Sequence, residues 1–167
     1  MDEQQVQQIV NREIARHRHE GVISERIQFE DIEFYNRSFN VTSATIATTG
    51  NTDAYFIAPQ SLRVLQIDFS GTDALAASDT NYITWTFTNL GQAGSDTDAI
   101  LASSDANTTK STGGSAISAN TKRTLTLTST LTDLDVIEGD RIRIRAAVTG
   151  TLANTVTFPV YLIQLTQ

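Results

Sequence analysis

Past residue 40, apolar and polar side chains alternate along the chain with a period of two. The segment 82–89 reads YITWTFTN, and the segment 141–148 reads RIRIRAAV. Because successive side chains of a strand point to opposite faces, this period predicts sheets with one apolar and one polar face. The apolar side chains expected on the buried faces are Leu65, Ile67 and Phe69; Ile83, Trp85 and Phe87; Leu125 and Leu127; Ile142, Ile144 and Ala146; and Val156, Phe158, Val160 and Leu162.

Turn-forming sequences separate the predicted strands of this region. SGTD at 70–73, EGD at 138–140 and TG at 149–150 supply the residues that tight turns prefer. Short strands with such turns predict a mainly β chain folded as an antiparallel β-sandwich. Residues 90–121 hold few large apolar side chains and are expected to form a long excursion at one end of it. Pro159 within the last apolar run favours an edge position or a bulge there.

The composition changes sharply near residue 40. All 25 threonines follow this point, whereas both histidines precede it. Threonine is β-branched and favours strands, so the change of composition marks a change of structural type. The sequence therefore predicts an N-terminal helix and extended arm over residues 1–40 and a β-sandwich domain over residues 41–167.

Residues 2–20 have the pattern of a short α-helix. Val6, Ile9, Val10 and Ile14 follow the three- and four-residue spacing of one helix face, and Gly21 is a C-terminal stop. A helix this short is marginal in water, so its narrow apolar stripe needs a partner. That partner could be its own domain, sister chains or another protein.

Residues 22–40 concentrate aromatic side chains. Phe29, Phe34, Tyr35 and Phe39 lie in this stretch, and parts of it alternate as a strand does. Two interpretations are open: a first strand that packs on the core, or an arm that anchors on a partner surface, because aromatic residues concentrate at interface hot spots.

Composition and charge narrow the classes of function. The chain has 167 residues, no cysteine and a formal net charge of −7. Lack of cysteine excludes disulfides and thiolate metal sites, and the acidic balance disfavours binding to nucleic acid. No apolar run approaches the roughly 20 residues of a membrane span, and the N-terminus lacks the pattern of a signal peptide. We expect neither a nucleic-acid nor a membrane partner.

No catalytic constellation stands out. The sequence has no nucleophile elbow and no phosphate-binding loop. His17 and His19 diverge on a helix, and a calcium loop that began at Asp96 and Asp98 would lack its glycine and its glutamate. Solvated acids are the ordinary explanation of Asp133 and Asp135, and of Glu138 and Asp140. We therefore expect no catalytic residues, no metal site, no cofactor and no enzymatic activity.

Arg141, Arg143 and Arg145 form a basic row. Their alternation with Ile142 and Ile144 places three guanidinium groups on one face of a strand. The row could dock on an acidic partner surface, or it could pair with carboxylates on the adjacent strand.

The C-terminal segment LTDLDVIEGDRIRIRAAVTGTLANTVTFPVYLIQLTQ, with the preceding YITWTFTNL and RTLTLTST, resembles the end of viral jelly-roll modules. Residues 60–167 look like a capsid decoration (cement) protein or a head-fibre protein of a tailed bacteriophage. The resemblance implies a jelly-roll-like β-sandwich with an N-terminal α-helical arm. It also implies a homotrimer on the surface of a virion capsid, where the protein would clamp subunits of the major capsid protein.

The alternative function is a receptor- or glycan-binding module of a phage fibre or tail. Aromatic side chains near acids or amides are typical of such sites. Trp85 is expected in the core, so Tyr55 and Tyr82 are the better exposed candidates for contact with a glycan. The side chains expected to contact a partner or sister copies are Val6, Ile9, Val10, Ile14, Phe29, Phe34, Tyr35, Phe39, Arg141, Arg143 and Arg145.

Overall fold

The computed structural model describes residues 36–166, which form nine strands and two single-turn 3-10 helices. No helix in this range is long and apolar enough to cross a membrane. The predicted N-terminal helix lies outside the described residues. The strands are β1 (Asn36–Thr42), β2 (Asn51–Ile57), β3 (Leu62–Ser70), β4 (Tyr82–Asn89), β5 (Asp98–Ala99), β6 (Arg123–Leu125), β7 (Asp135–Val136), β8 (Arg141–Thr149) and β9 (Val160–Thr166), and the 3-10 helices are Asp105–Asn107 and Leu131–Leu134.

The strands form two sheets. The first has the order β1-β9-β3-β6, and β7 also pairs with β3. The second has the order β2-β8-β4-β5. β3 pairs antiparallel with β6, β7 and β9, as β8 does with β2 and β4. The prediction of a mainly β chain with antiparallel sheets is confirmed.

Four aromatic side chains join the two sheets across a common core. Phe69 of β3 lies with its ring centre 4.8 Å from that of Trp85 on β4 and 5.4 Å from that of Tyr161 on β9. Tyr161 also meets the edge of Phe87 on β4, at 5.5 Å. All four are almost completely buried. The predicted core position of Trp85 is confirmed.

The first strand begins before the predicted domain boundary. β1 spans Asn36–Thr42, so the boundary at residue 40 falls inside it. Phe39 is half-buried, and its ring centre lies 5.2 Å from that of Phe56 on β2. For Phe39 the structure shows a strand residue packed on the core, which is the first of the two interpretations of this stretch. Phe29, Phe34 and Tyr35 lie outside the described residues.

The alternation predicted for β3 is wrong at Leu65. A β-bulge between Val64 and Gln66 shifts the register against β9, because a bulge inserts one extra residue into a strand. Leu65 therefore points outward and is 50% exposed, whereas Val64 directly before it and Ile67 two residues after it are buried.

Asp68, expected on the polar face of β3, is also buried. Thr124 and Gln66 donate hydrogen bonds to its carboxylate at 2.6 and 2.9 Å, and the Lys122 Nζ lies 3.1 Å away. These partners compensate for the loss of water that burial of a carboxylate entails.

The last apolar run also has the opposite phase to the predicted one. Tyr161, Ile163 and Leu165 are buried, while Phe158 is 71% exposed and has φ of +47°, in the left-handed region. The backbone is redirected there, so the period of two breaks before β9 begins. Pro159 directly precedes β9, which is an interior strand between β1 and β3. Of the two predicted placements, the edge position is therefore wrong, and the irregular backbone at Phe158 is nearer to the alternative, a bulge.

The excursion over residues 90–121 contacts the rest of the β-sandwich at several points. Ile100, Leu101 and Ile117 are buried, and Leu101 and Ile117 form isolated bridges with Leu127 and Leu75. Polar contacts fix it further, among them hydrogen bonds from the Thr112 amide and hydroxyl to the Asp79 carboxylate.

Asn107 and Arg123 hold the excursion in place. The Asn107 amide donates to the carbonyls of Ala102 and Thr126 and accepts from the Thr126 amide, at 2.7–2.9 Å. Arg123 donates to the carbonyls of Ser115, Ala106 and Thr108 at 2.6–2.8 Å, and its guanidinium lies over the Trp85 ring at 4.8 Å.

Replacement of a buried and an exposed side chain on the same strand tests the bulge in β3. We expect Ile67→Ala to lower the free energy of unfolding by about 2–5 kcal/mol, because it leaves a cavity between the sheets. Leu65→Ala is the matched control and should change it by less than about 0.5 kcal/mol. Urea unfolding followed by tryptophan fluorescence measures both. Equal losses would contradict the register described here.

Candidate interaction surface

The outer face of the second sheet carries the basic row. Ile142, Ile144 and Ala146 of β8 are buried, so the predicted alternation is confirmed. Side chains directly opposite on antiparallel strands share a face. Arg141, Arg143 and Arg145 therefore lie beside Ile57, Tyr55 and Asp53 of β2. We name these six residues the arginine face: Asp53, Tyr55, Ile57, Arg141, Arg143 and Arg145.

Arg145 forms an ion pair within this face. Its Nε and Nη2 donate to the two carboxylate oxygens of Asp53, both at 2.7 Å. These hydrogen bonds lower the pKa of Asp53 against the opposing effect of burial, and the positive charges of Arg145 and Arg143 lower it further. For this arginine, pairing with a carboxylate on the adjacent strand is what the structure shows.

Arg141 is placed against an aromatic ring. Its guanidinium carbon lies 4.2 Å from the centre of the Tyr55 ring, at cation–π distance. Tyr55 is 45% exposed, as the sequence predicted for this residue, and Ile57 beside it is 55% exposed. Arg141 forms no ion pair with a described residue.

Arg143 lies between the other two arginines, opposite Tyr55 on one side and Thr88 on the other. It has no ion pair among residues 36–166. Its Nε is shielded from solvent and has no hydrogen-bond acceptor among residues 36–166. Shielded donors are nearly always paired in folded proteins, so an unpaired Nε is unusual.

The strand that carries Tyr55 and Ile57 is the last of its sheet. β2 pairs only with β8 in the described part of the chain. The Val148 amide bonds to the Gly50 carbonyl, and the Ala58 amide bonds to the Asp140 carbonyl, so even-numbered residues face β8. The backbone groups of Asn51, Asp53, Tyr55 and Ile57 consequently point to the open edge.

A groove lies on the same sheet, on the far side of β4 from β8. Thr84, Thr86 and Thr88 of β4 form its floor, and Ser103 and Ser104 of the excursion lie across from them. Its volume is about 460 Å³. We name it the threonine groove; its lining also includes Tyr82, Ala99, Leu101, Ala102, Asp105, Thr108 and Lys110.

The acidic residues considered as catalytic or calcium-binding candidates either form contacts that stabilise the fold or do not cluster with other acids. Asp135 forms an ion pair with Arg63 at 2.6 Å. Asp140 is buried and accepts hydrogen bonds from the Asn89 side chain and the Ile137 amide. Within residues 36–166, no three acids or histidines come close enough to hold a metal ion. His17, His19 and the apolar helix residues Val6, Ile9, Val10 and Ile14 lie outside the described residues.

Sequence reasoning missed the partners of the basic row. In NTDAYFI, residues 51–57, the outward residues Asp53, Tyr55 and Ile57 alternate with Ala54 and Phe56. Both faces of this strand therefore carry apolar side chains, and the sequence alone does not show which face is the outer one. The walls of the groove were missed as well, because residues 99–110 have no period that relates them to β4. Tyr82, predicted to be exposed, is half-buried beside the groove.

Comparison with known proteins gives little beyond a distant likeness. No family model and no curated protein matches the chain. Two similar solved structures are those of infectious bursal disease virus, strains Gt and Gx, each with 12% identity and with TM-scores of 0.32 and 0.31. In both, the match covers 78% of this chain and 36% of the other. The likeness is too distant to assign a function, and the resemblance to phage decoration proteins stays a prediction.

The ion pair between Asp53 and Arg145 should make stability depend on pH. Because the folded pKa of Asp53 is lowered, the pair contributes above the ordinary carboxyl value of about 4 and is lost as pH falls through the lowered value. We expect Asp53→Asn to reduce the free energy of unfolding at pH 7 by up to about 1 kcal/mol. The difference from the unmodified protein should shrink below about pH 4.

Urea unfolding at several pH values measures this difference. Asp98→Asn is the control, since Asp98 forms no hydrogen bond or ion pair with a described side chain. An effect of Asp53→Asn that is the same at pH 7 and pH 3 would contradict the ion pair's contribution.

Proposed function

We propose that the protein is a structural virion protein that decorates a phage capsid and stabilises it. In this proposal, copies of the chain assemble as a homotrimer on the capsid surface, and the arginine face binds an acidic surface of the major capsid protein. The protein acts by contact and catalyses no reaction.

The observation that carries the proposal is the state of the arginine face. Arg141 and Arg143 have no carboxylate partner among residues 36–166, although the chain has an excess of acids and a net charge of −7. Tyr55 and Ile57 expose apolar surface directly beside them. Arginine and tyrosine with an aliphatic neighbour are typical of the centres of protein interfaces. The basic charge favours an acidic partner.

The open edge of β2 supports the same assignment. A sheet edge with unpaired backbone groups can bond to an extended segment of another protein. Here the edge adjoins the arginine face, so one acidic segment of the capsid protein could bond to the β2 backbone and pair with Arg143. Such a contact would be repeated at every copy on the shell.

The order of the strands supports the description of the β-sandwich as jelly-roll-like. β6 and β7 both pair with β3 and can be counted as one interrupted strand. The strands then divide into two sheets of four, and most of the chain crosses from one sheet to the other between successive strands. This is the arrangement of a jelly roll, a fold common in viral capsid and lectin domains. Fold alone does not assign function, so the arginine face remains the stronger argument.

Binding to isolated heads tests the proposal. Heads from a virus that lacks this gene would be mixed with the purified full chain, and bound protein would be measured by co-sedimentation. We expect saturable binding of the unmodified protein and at least a tenfold weaker affinity, or about 1.4 kcal/mol, for Arg143→Gln, which removes one interfacial charge. Mass photometry should give three times the chain mass of 18.2 kDa.

Arg37→Gln is the matched control, because Arg37 is an exposed arginine on β1 of the other sheet. It removes the same charge and should leave binding unchanged. Equal losses in both variants would indicate a general effect of net charge. Failure of the unmodified protein to bind heads, together with a monomeric mass, would contradict the proposal.

A further inference from the structure

The threonine groove has the size of a ligand site. Its volume of about 460 Å³ lies within the range of roughly 300–1,000 Å³ that small-molecule sites occupy. β4 forms its floor, and residues 99–110, part of the excursion, form its wall. The groove extends from β4 toward the β5 edge of the sheet, and the arginine face extends from β8 toward the β2 edge. The two surfaces meet where Thr86 and Thr88 of β4 lie opposite Arg145 and Arg143 of β8.

Five hydroxyl groups in the groove are uncommitted. Thr84, Thr86, Thr88, Ser103 and Ser104 make no side-chain hydrogen bond with another described residue, in contrast to Thr108, which bonds to the Asp105 carbonyl. Each hydroxyl can both donate and accept. A ligand that itself carries many hydroxyl groups matches this set best. The threonine methyl groups, with Ala99 and Leu101, give the apolar surface that the C–H faces of a sugar ring need.

The charged groups of the groove neutralise each other. Lys110 Nζ lies 2.7 Å from the Asp105 carboxylate and 5.0 Å from the centre of the Tyr82 ring. The hydrogen bond with Asp105 raises the pKa of Lys110, which favours a protonated lysine beside the carboxylate. A groove with no net charge favours a neutral ligand over an anionic one.

The groove is fixed before any ligand arrives. Asn107 and Arg123 hold the excursion to the body through hydrogen bonds to five different backbone groups. Gly114 permits the close return of the chain, since a Cβ there would lie 2.6 Å from the Thr108 carbonyl. A preformed site loses less conformational entropy on binding.

We propose that the threonine groove binds a neutral oligosaccharide. The hydroxyl row of β4 forms hydrogen bonds to the sugar hydroxyls, and Tyr82 borders one end of the bound chain. This inference stands on the groove alone and does not rest on the proposed contact with a capsid. It gives the protein a second surface, directed at a glycan, which adjoins the arginine face where Thr86 and Thr88 lie opposite Arg145 and Arg143.

A glycan array followed by calorimetry tests the inference. The full chain would be applied to an array of neutral, sialylated and sulfated oligosaccharides, and the strongest neutral hit would be titrated. We expect Thr86→Val to weaken binding about fivefold, because it removes one hydroxyl while keeping the side-chain shape. Tyr82→Ala should weaken it about tenfold or more.

Thr42→Val is the matched control, since Thr42 is an exposed threonine on β1 of the other sheet, and it should bind as the unmodified protein does. Thr86 is exposed, so its substitution keeps the fold even if Tyr82→Ala lowers stability. An unchanged affinity of Thr86→Val for the neutral glycan would overturn the inference. If no neutral oligosaccharide on the array binds the protein, the inference is wrong. It is also wrong if only sulfated or sialylated glycans bind and this binding is lost in Arg143→Gln.

Discussion

The packing of Phe69, Trp85, Phe87 and Tyr161 between the two sheets is the interaction on which the rest of the structure depends. Their ring centres lie 4.8–5.5 Å apart and link β3 and β9 of one sheet to β4 of the other. Burial of aromatic surface is a large favourable contribution to folding, and it requires each strand to turn one face inward. The opposite face of each strand is then directed away from this core.

The second sheet uses that outer face for polar and basic side chains. On β8 the inward residues are Ile142, Ile144 and Ala146, which leaves the arginines outside. On β4 the inward residues are Ile83, Trp85 and Phe87, which leaves the threonines outside. The arginine face and the threonine groove are thus consequences of the same alternation that builds the core. Their difference lies in the residue types that the sequence places at outward positions.

The period of two predicted the fold where the strands are regular and failed where the backbone is not. β4 and β8 lie in the predicted phase, and so does most of the apolar core of their sheet. A one-residue shift reverses every subsequent side chain, which is why the bulge at Leu65 and the left-handed Phe158 misled the sequence analysis. The bulge at Leu65 has no clear signal in the residues around it, whereas Pro159 had indicated a bulge or an edge position next to Phe158.

The surfaces were less predictable than the core, because they depend on contacts between distant segments. The basic row was visible in the sequence, but its pairing with Asp53 joins residues 92 positions apart. The groove depends on Asn107 and Arg123, whose hydrogen bonds reach segments with no shared pattern. Such contacts follow from strand order, which alternation alone does not determine.

An electron cryomicroscopy map of an assembled virion head is the sharpest test of the proposed capsid contact, because it would show whether the protein lies on the shell and which of its surfaces faces it. We expect density for the two-sheet body on the outside of the head, with β2 and the arginine face against an acidic part of the capsid protein. A map in which the first sheet faces the shell and the arginines face solvent would contradict it, and so would a complete head without this density.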